Sequence, residues 1–207
     1  MTNKARREIK GNTKSSRWDI QKFIEDDFEK TISVLNEFSP ATEDDVDDVQ
    51  FQMAKILDLD LNGIGTSYSE EMFGNTTMMA YYDRSNDTIF VNTNYFISKD
   101  LIRFAIAHEM RHRWQYEHDE EEWFNTYKSR NKLNLKQYNE QIAEMDANAF
   151  ALAAMDSLYK GWDTRLKMRW NVDVKNDIFQ TDGIQSLYEK MLMQYFESET
   201  DDKNNAE

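Results

Sequence analysis

Phe104-Ala105-Ile106-Ala107-His108-Glu109-Met110-Arg111-His112 is the stretch on which the reading of this chain turns. All three histidines of the 207-residue sequence fall between positions 108 and 118, and two of them stand four apart with a glutamate directly after the first. The apolar lead-in, together with Ser98 as a helix-capping residue, predicts a helix from about Lys99 towards Tyr116 or beyond. On a helix, residues four apart differ by about 40° around the axis and by one turn along it. Two imidazoles so placed can grip one tetrahedral metal ion. Glu109, one step past the first histidine, then lies beside the ion without binding it, where it can take a proton from water. A five-residue pattern also arises by chance, and His108 on its apolar stretch could be a hydrogen-bonded core residue. The neighbouring segments decide between these readings.

Two completions of a three-ligand set compete. His118 stands where the third histidine falls in H-E-x-x-H-x-x-G-x-x-H, a pattern whose glycine lets the chain turn back. Here Gln115 occupies the glycine position, and a side chain disfavours the left-handed backbone that turn needs. If the helix continues instead, His118 points away, because six residues rotate it by about 240° net. The second completion is Glu144-Met145-Asp146-Ala147-Asn148, beginning 32 residues beyond His112. Ala143, Ala147, Ala149, Phe150, Ala151, Leu152, Ala153 and Ala154 make that helix an interior one, where a lone carboxylate is costly without a partner. Glu144 is therefore the favoured third ligand. Asn148, four residues on, shares its face and is expected to accept a hydrogen bond from a histidine's outer ring nitrogen. Asp146, about 200° round from Glu144, should face elsewhere.

The rest of the chain supplies the frame. Thr76–Tyr82 and Thr88–Asn92 alternate and are rich in β-formers, and Asp83-Arg84-Ser85-Asn86-Asp87 between them has turn chemistry, so a β-hairpin is predicted. Apolar residues recur at helical spacing from Trp18 to Phe38 and stop at Pro40, the one proline. Thr42, followed by Glu43, Asp44 and Asp45, starts a further helix with Val46, Val49, Met53, Ile56 and Leu57 as its buried stripe. Asn62-Gly63-Ile64-Gly65 reads as a turn. A helix is predicted over roughly Tyr138–Tyr159, ended by Gly161, and a last amphipathic one over Gly183–Phe196. The fold class expected is α+β: mostly helical, with a small antiparallel or mixed sheet packed beside the His108–His112 helix. A basic arm (residues 1–17), a single domain (18–196, core 76–160) and an acidic disordered tail (197–207) complete the organisation.

Composition narrows the function. With 40% apolar and 31% charged residues the chain has ordinary globular usage rather than that of a disordered protein. A net charge of −14 argues against a general affinity for nucleic acid or anionic membrane. No cysteines are present, which removes disulfides, thiolate metal ligands and thiol nucleophiles together, and fits a reducing compartment. No secretory signal follows the basic start and no apolar run is long enough to span a membrane, so a cytoplasmic location is expected.

The hairpin, F-A-I-A-H-E-M-R-H and E-M-D-A-N-A-F-A together resemble the gluzincin metallopeptidases, most closely the minimal ImmA/IrrE-like and phage-encoded members. The likeness covers roughly residues 76–160; residues 1–70 and 161–207 lie outside it. It implies a minimal zincin-like architecture, one zinc ion on His108, His112 and Glu144, Glu109 as general acid/base, and Asn148 supporting the ligands. It also implies a metalloendopeptidase cleaving protein or peptide substrates by zinc-assisted hydrolysis. Arg111 departs from the family, standing where many relatives have glycine, and is expected to narrow or charge the cleft. His118, Arg111 and Tyr82 are the candidates for stabilising the oxyanion or contacting substrate. The substrate itself is expected along the free edge of the hairpin, at Thr88–Asn92. The competing reading is a non-catalytic binding or regulatory protein that keeps zinc structurally; retention of Glu109 favours the enzyme.

Overall fold

Thr42 opens the first described helix, α1 (Glu43–Leu57), through a reciprocal cap. Its hydroxyl accepts from the Asp45 N–H at 3.3 Å while the Asp45 carboxylate accepts from the Thr42 N–H at 2.8 Å. Thr42→Ala removes half of this box and is expected to cost about 1 kcal/mol, read as a lower urea midpoint at unchanged slope. An unchanged midpoint would mean that the Lys99–Asp45 ion pair, at 2.9 Å, already fixes this turn. Val46, Val49, Met53 and Leu57 are buried as the periodicity predicts, and Ile56 is half-buried.

A computed structural model describes residues 38–74, 77–129 and 132–197. The chain divides into the units Met1–Phe38 and Ser39–Glu207, and all the described helices and strands belong to the second. The basic arm and the helix expected before Phe38 lie outside the described residues, as does the acidic tail from residue 198.

The protein is α+β: mostly helical with a small three-stranded mixed sheet. Strands β1 (Gly65–Tyr68), β2 (Ala80–Asp83) and β3 (Thr88–Val91) lie in the order β1-β3-β2. The hairpin β2–β3 has the predicted turn and pairs Ala80 with Val91 and Tyr82 with Ile89. Strand β1 is not expected from sequence, because Gly65 reads as the end of a turn and four residues carry too little alternation. It pairs parallel to β3, Gly65 opposite Thr88. A Cβ at Gly65 would sit 2.8 Å from the Thr88 hydroxyl, so the glycine permits this close approach. The added strand corrects one expectation. Thr88–Asn92 is the centre of the sheet, and the hairpin's free edge is β2.

A short 3₁₀ turn (Thr93–Ile97) leads to Ser98, whose hydroxyl caps α2 (Lys99–Phe124). Helix α2 runs as predicted through both histidines and breaks at Asp119, whose φ and ψ of −161° and 82° are extended. The Asp119 carboxylate then caps the next turn at the Glu122 N–H, 2.9 Å away. One helix expected over Tyr138–Tyr159 is two: α3 (Leu135–Asn139), capped by Asn134, and α4 (Ile142–Leu158). Gly161, with φ of 77°, turns the chain into α5 (Trp162–Trp170), which the sequence reading does not anticipate; α6 (Val174–Phe179) and α7 (Ile184–Tyr195) follow.

Helix α2 packs against α1, α4 and strand β2, and α4 against α2 and α7. Ile102, Ile106 and Met110 of α2, Phe150, Leu152 and Met155 of α4, Trp162 of α5, and Ile184 and Met191 of α7 are fully buried in one core. Helices α2 and α4 thus have their backbones fixed by apolar packing on several sides. No helix among the described residues is long and apolar enough to cross a membrane.

Candidate metal centre

Helices α2 and α4 pack face to face, and three chemistry-bearing side chains meet between them. The Nε2 of His108 lies 3.3 Å from Glu144 Oε2, and the Nε2 of His112 lies 3.5 Å from Glu144 Oε1. One donor atom from each of the three residues falls within 4.8 Å of the others. The two imidazoles stand edge to face, ring centres 4.6 Å apart, as side chains one turn apart allow. This is a set of two nitrogens and one oxygen, largely buried, and it could hold a metal ion.

Electrostatics couple the three. Burial alone would raise the Glu144 carboxyl, but hydrogen bonds and charge from His108 and His112 outweigh it and hold the group well below the ordinary value of 4.5. Burial likewise pushes the His112 imidazole down, and Glu144 overcomes this to raise it from 6.5 to about 9. The signs fix a pH dependence for the metal-free protein. A raised imidazole stabilises the fold fully below about 6.5, and that contribution is lost as pH climbs through about 9. The lowered carboxyl contributes above about 4.5 and is lost only in stronger acid. With a chelator present, the melting temperature should therefore fall between pH 6.5 and 9, and Glu144→Gln should flatten that slope. Equal slopes in the two proteins would show that the pair is not formed in the metal-free state.

Glu109 sits beside the cluster and outside it. Its Oε2 accepts the backbone N–H of Tyr82 at 2.9 Å, which leaves Oε1 for another partner. The same bond shows which way β2 faces. The Tyr82 amide points away from β3, so strand alternation turns the Ala80 N–H and C=O to the same outer side. Met79 O, one residue earlier, accepts from the Asn92 N–H, as that alternation requires.

A cleft of about 250 Å³ opens between β2 and the cluster, lined by residues 77–82, by His108, Glu109, His112 and Glu144, and by an aromatic wall. The wall depends on the break at Asp119. Beyond it the chain doubles back so that Phe124 stacks on Tyr116 at 3.9 Å and lies 6.1 Å from the His112 ring. Tyr127 then reaches the ligand set, donating its hydroxyl proton to Glu144 Oε1 at 2.6 Å, with the Tyr138 hydroxyl 2.8 Å from its own. Burial and the Glu144 charge raise both phenols above the ordinary tyrosine value, so both remain donors at neutral pH. Nothing in the sequence singles out Phe124, Tyr127 or Tyr138 for this site; the break at Asp119 and the short helix α3 bring them in.

The other expected site residues divide. His118 keeps away from the cluster: its ring stacks on Trp114 at 4.2 Å and its Nδ1 lies 3.0 Å from the Trp114 carbonyl, because the helix breaks after it rather than before. Arg111 does not line the cleft. It lies buried between α2 and α4, paired with Asp146 at 2.7 Å, and so neither narrows nor charges the cleft. Asp146, expected to face elsewhere than Glu144, stays out of the ligand set but also turns to α2, where it accepts from Arg111 and Gln115. Tyr82 does line the cleft, but its hydroxyl donates to Asp87 at 2.8 Å and its contribution is the backbone amide. Asn148 lines the cleft without bonding a ligand histidine. Among the described residues, His108 Nδ1 is buried with no hydrogen-bond partner, and His112 Nδ1 is taken by Gln115 Oε1 at 2.8 Å. The sequence reading misses Gln115 in this role; its place three residues past His112, on the same helix face, is the signal that could have found it. No protein-family model matches this chain, and no match was found among curated proteins or solved structures.

Proposed function

We propose that this protein is a zinc-dependent peptidase with His108, His112 and Glu144 as its ligands. The observation that carries the reading is the convergence of two imidazole nitrogens and one carboxylate oxygen within 4.8 Å, with Glu109 alongside and a β-strand edge across the cleft. Two nitrogens and an oxygen, with no thiolate, suit zinc and leave a coordination position for solvent. Zinc bound there would acidify water and polarise a carbonyl oxygen.

The chain's own groups supply the rest. The N–H and C=O of Ala80, turned away from β3 on the cleft side, can pair with an extended peptide, adding it as a strand beside β2. That places a peptide carbonyl near the ligand set. Glu109, steadied through one oxygen by the Tyr82 amide, takes the proton from the attacking water with the other and returns it to the departing amine. The Tyr127 hydroxyl gives its hydrogen to Glu144 Oε1 and the Tyr138 hydroxyl lies 2.8 Å from it, so a developing oxyanion draws on these cleft phenols, in place of His118 and Arg111, only by displacing those bonds. Aromatic walls, and a lining without Lys or Arg among the described residues, favour apolar or neutral residues next to the scissile bond.

The test is a survey for cleavage. Zinc-loaded protein is incubated with a proteome-derived peptide mixture, and new peptide termini are read by mass spectrometry against a chelated control. Zinc-dependent termini are the expected result. Stoichiometric zinc with no cleavage above the control would instead favour a non-catalytic zinc-holding protein.

A further inference from the structure

Behind the ligand set lies a chain of buried polar groups to which the proposed reaction gives no part. Arg111 Nε donates to Asp146 Oδ2 at 2.7 Å, and its Nη2 lies 3.3 Å from Asp146 Oδ1. Asp146 Oδ2 also accepts from Gln115 Nε2 at 2.8 Å. The same Nε2 donates its second hydrogen to the Ala143 carbonyl at 3.0 Å. Gln115 Oε1 then meets His112 Nδ1 at 2.8 Å. Gln115 is wholly buried, and Arg111 and Asp146 are each 3% exposed, so water cannot substitute for any link.

The chain has one consistent hydrogen assignment. Both neighbours of Gln115 Nε2 are pure acceptors, so the NH₂ end of the carboxamide must face them. A flipped carboxamide would set its oxygen against a carbonyl and a carboxylate at once, with two unmet acceptors in a dry site. Oε1 therefore faces His112, Nδ1 carries the hydrogen, and Nε2 is left pointing at Glu144. Arg111 completes the lock by fixing the carboxylate, with its guanidinium 3.8 Å from the Trp114 ring centre and a bond to the Tyr195 hydroxyl at 3.0 Å. Nothing of the kind serves His108, whose Nδ1 has no partner among the described residues.

We infer that Gln115 is the positioning residue of the metal centre: through Asp146 and Arg111 it fixes the ring and hydrogen of His112 so that Nε2 is presented to the ion. The inference rests on reading His108, His112 and Glu144 as metal ligands. It makes the two histidines unequal, one held through its outer ring nitrogen and one without such a bond among the described residues.

The experiment measures zinc affinity at fixed pH by competition with a chromophoric chelator, in the full chain and three variants. Gln115→Leu keeps the shape and removes both ends of the link. Asp146→Asn removes the charge and leaves one amide oxygen where two acceptors now serve Arg111 and Gln115. Leu166→Ala is a control that loosens the core at α5, a helix that supplies no residue to the ligand set or to the Arg111–Asp146–Gln115 chain. Gln115→Leu should bind zinc 10- to 100-fold more weakly, about the usual effect of losing a ligand's outer partner. Asp146→Asn should weaken binding in the same direction by less, and decides the matter if Gln115→Leu does not fold. Leu166→Ala should melt lower yet bind as the unaltered protein does. Unaltered affinity in both site variants, with one zinc bound by the parent chain, would overturn the positioning role and leave the metal centre standing. A parent chain that binds no zinc would overturn both.

Discussion

Glu109→Gln should still bind one zinc ion per chain and lose peptide hydrolysis by about 10²- to 10⁴-fold, the usual contribution of a general acid/base. The two halves of this result come from different features. Glu109 is not among the converging donors, so its replacement leaves all three in place. A glutamine oxygen can still accept the Tyr82 N–H, which keeps the side chain in position beside the cleft. What the amide lacks is basicity: it can neither take a proton from water nor return one to an amine. Zinc content and cleavage rate, measured on the same preparations, separate these effects. Full activity in the variant would remove Glu109 from the chemistry, and with it the enzymatic reading. Loss of zinc together with activity would show that Glu109 supports the ligand set rather than moving protons.

The centre of the fold was the most legible part of the sequence, because it is where period and chemistry coincide. Helix α2 announces itself through Ser98 and a continuous apolar face, and four-residue spacing then places His108 and His112 together without further information. Glu144 was legible for the opposite reason. A carboxylate among alanines on an interior helix is costly, and that cost pointed to a partner. Rotation alone sets His118 aside, although the break that ends its helix, at Asp119, carries no sequence signal. Roles that depend on tertiary placement were not legible. Arg111 differs from His112 by one position, about 100° of rotation, which moves it from the cleft to the packed side facing α4. Asn148 has the right spacing from Glu144, but Gln115 reaches His112 first from its own helix. Strand β1 is too short to show alternation, and without it β3 is mistaken for an edge.

Replacing Arg111 by Met should destabilise the protein by about 3–5 kcal/mol, the range for removing one partner of a buried ion pair. Met preserves most of the apolar stem, so the loss is not mainly one of volume. Its stacking on Trp114 accounts for about 0.5–2 kcal/mol. The remainder comes from the group left behind. Asp146, 3% exposed, would keep its charge with only the Gln115 amide to answer it. The double variant Arg111→Met with Asp146→Leu therefore distinguishes the causes: removing the stranded carboxylate should recover much of the stability, which packing loss alone would not allow. Urea midpoints at unchanged slope measure both. A cost under about 1 kcal/mol for Arg111→Met would mean that Asp146 is neutral or hydrated. Because Arg111 also binds Tyr195 of α7, the same substitution should loosen that helix, which protein-wide hydrogen exchange would register at 184–195 first. The double variant should restore global stability without restoring that protection, since neither Met nor Leu can replace the bond to the Tyr195 hydroxyl.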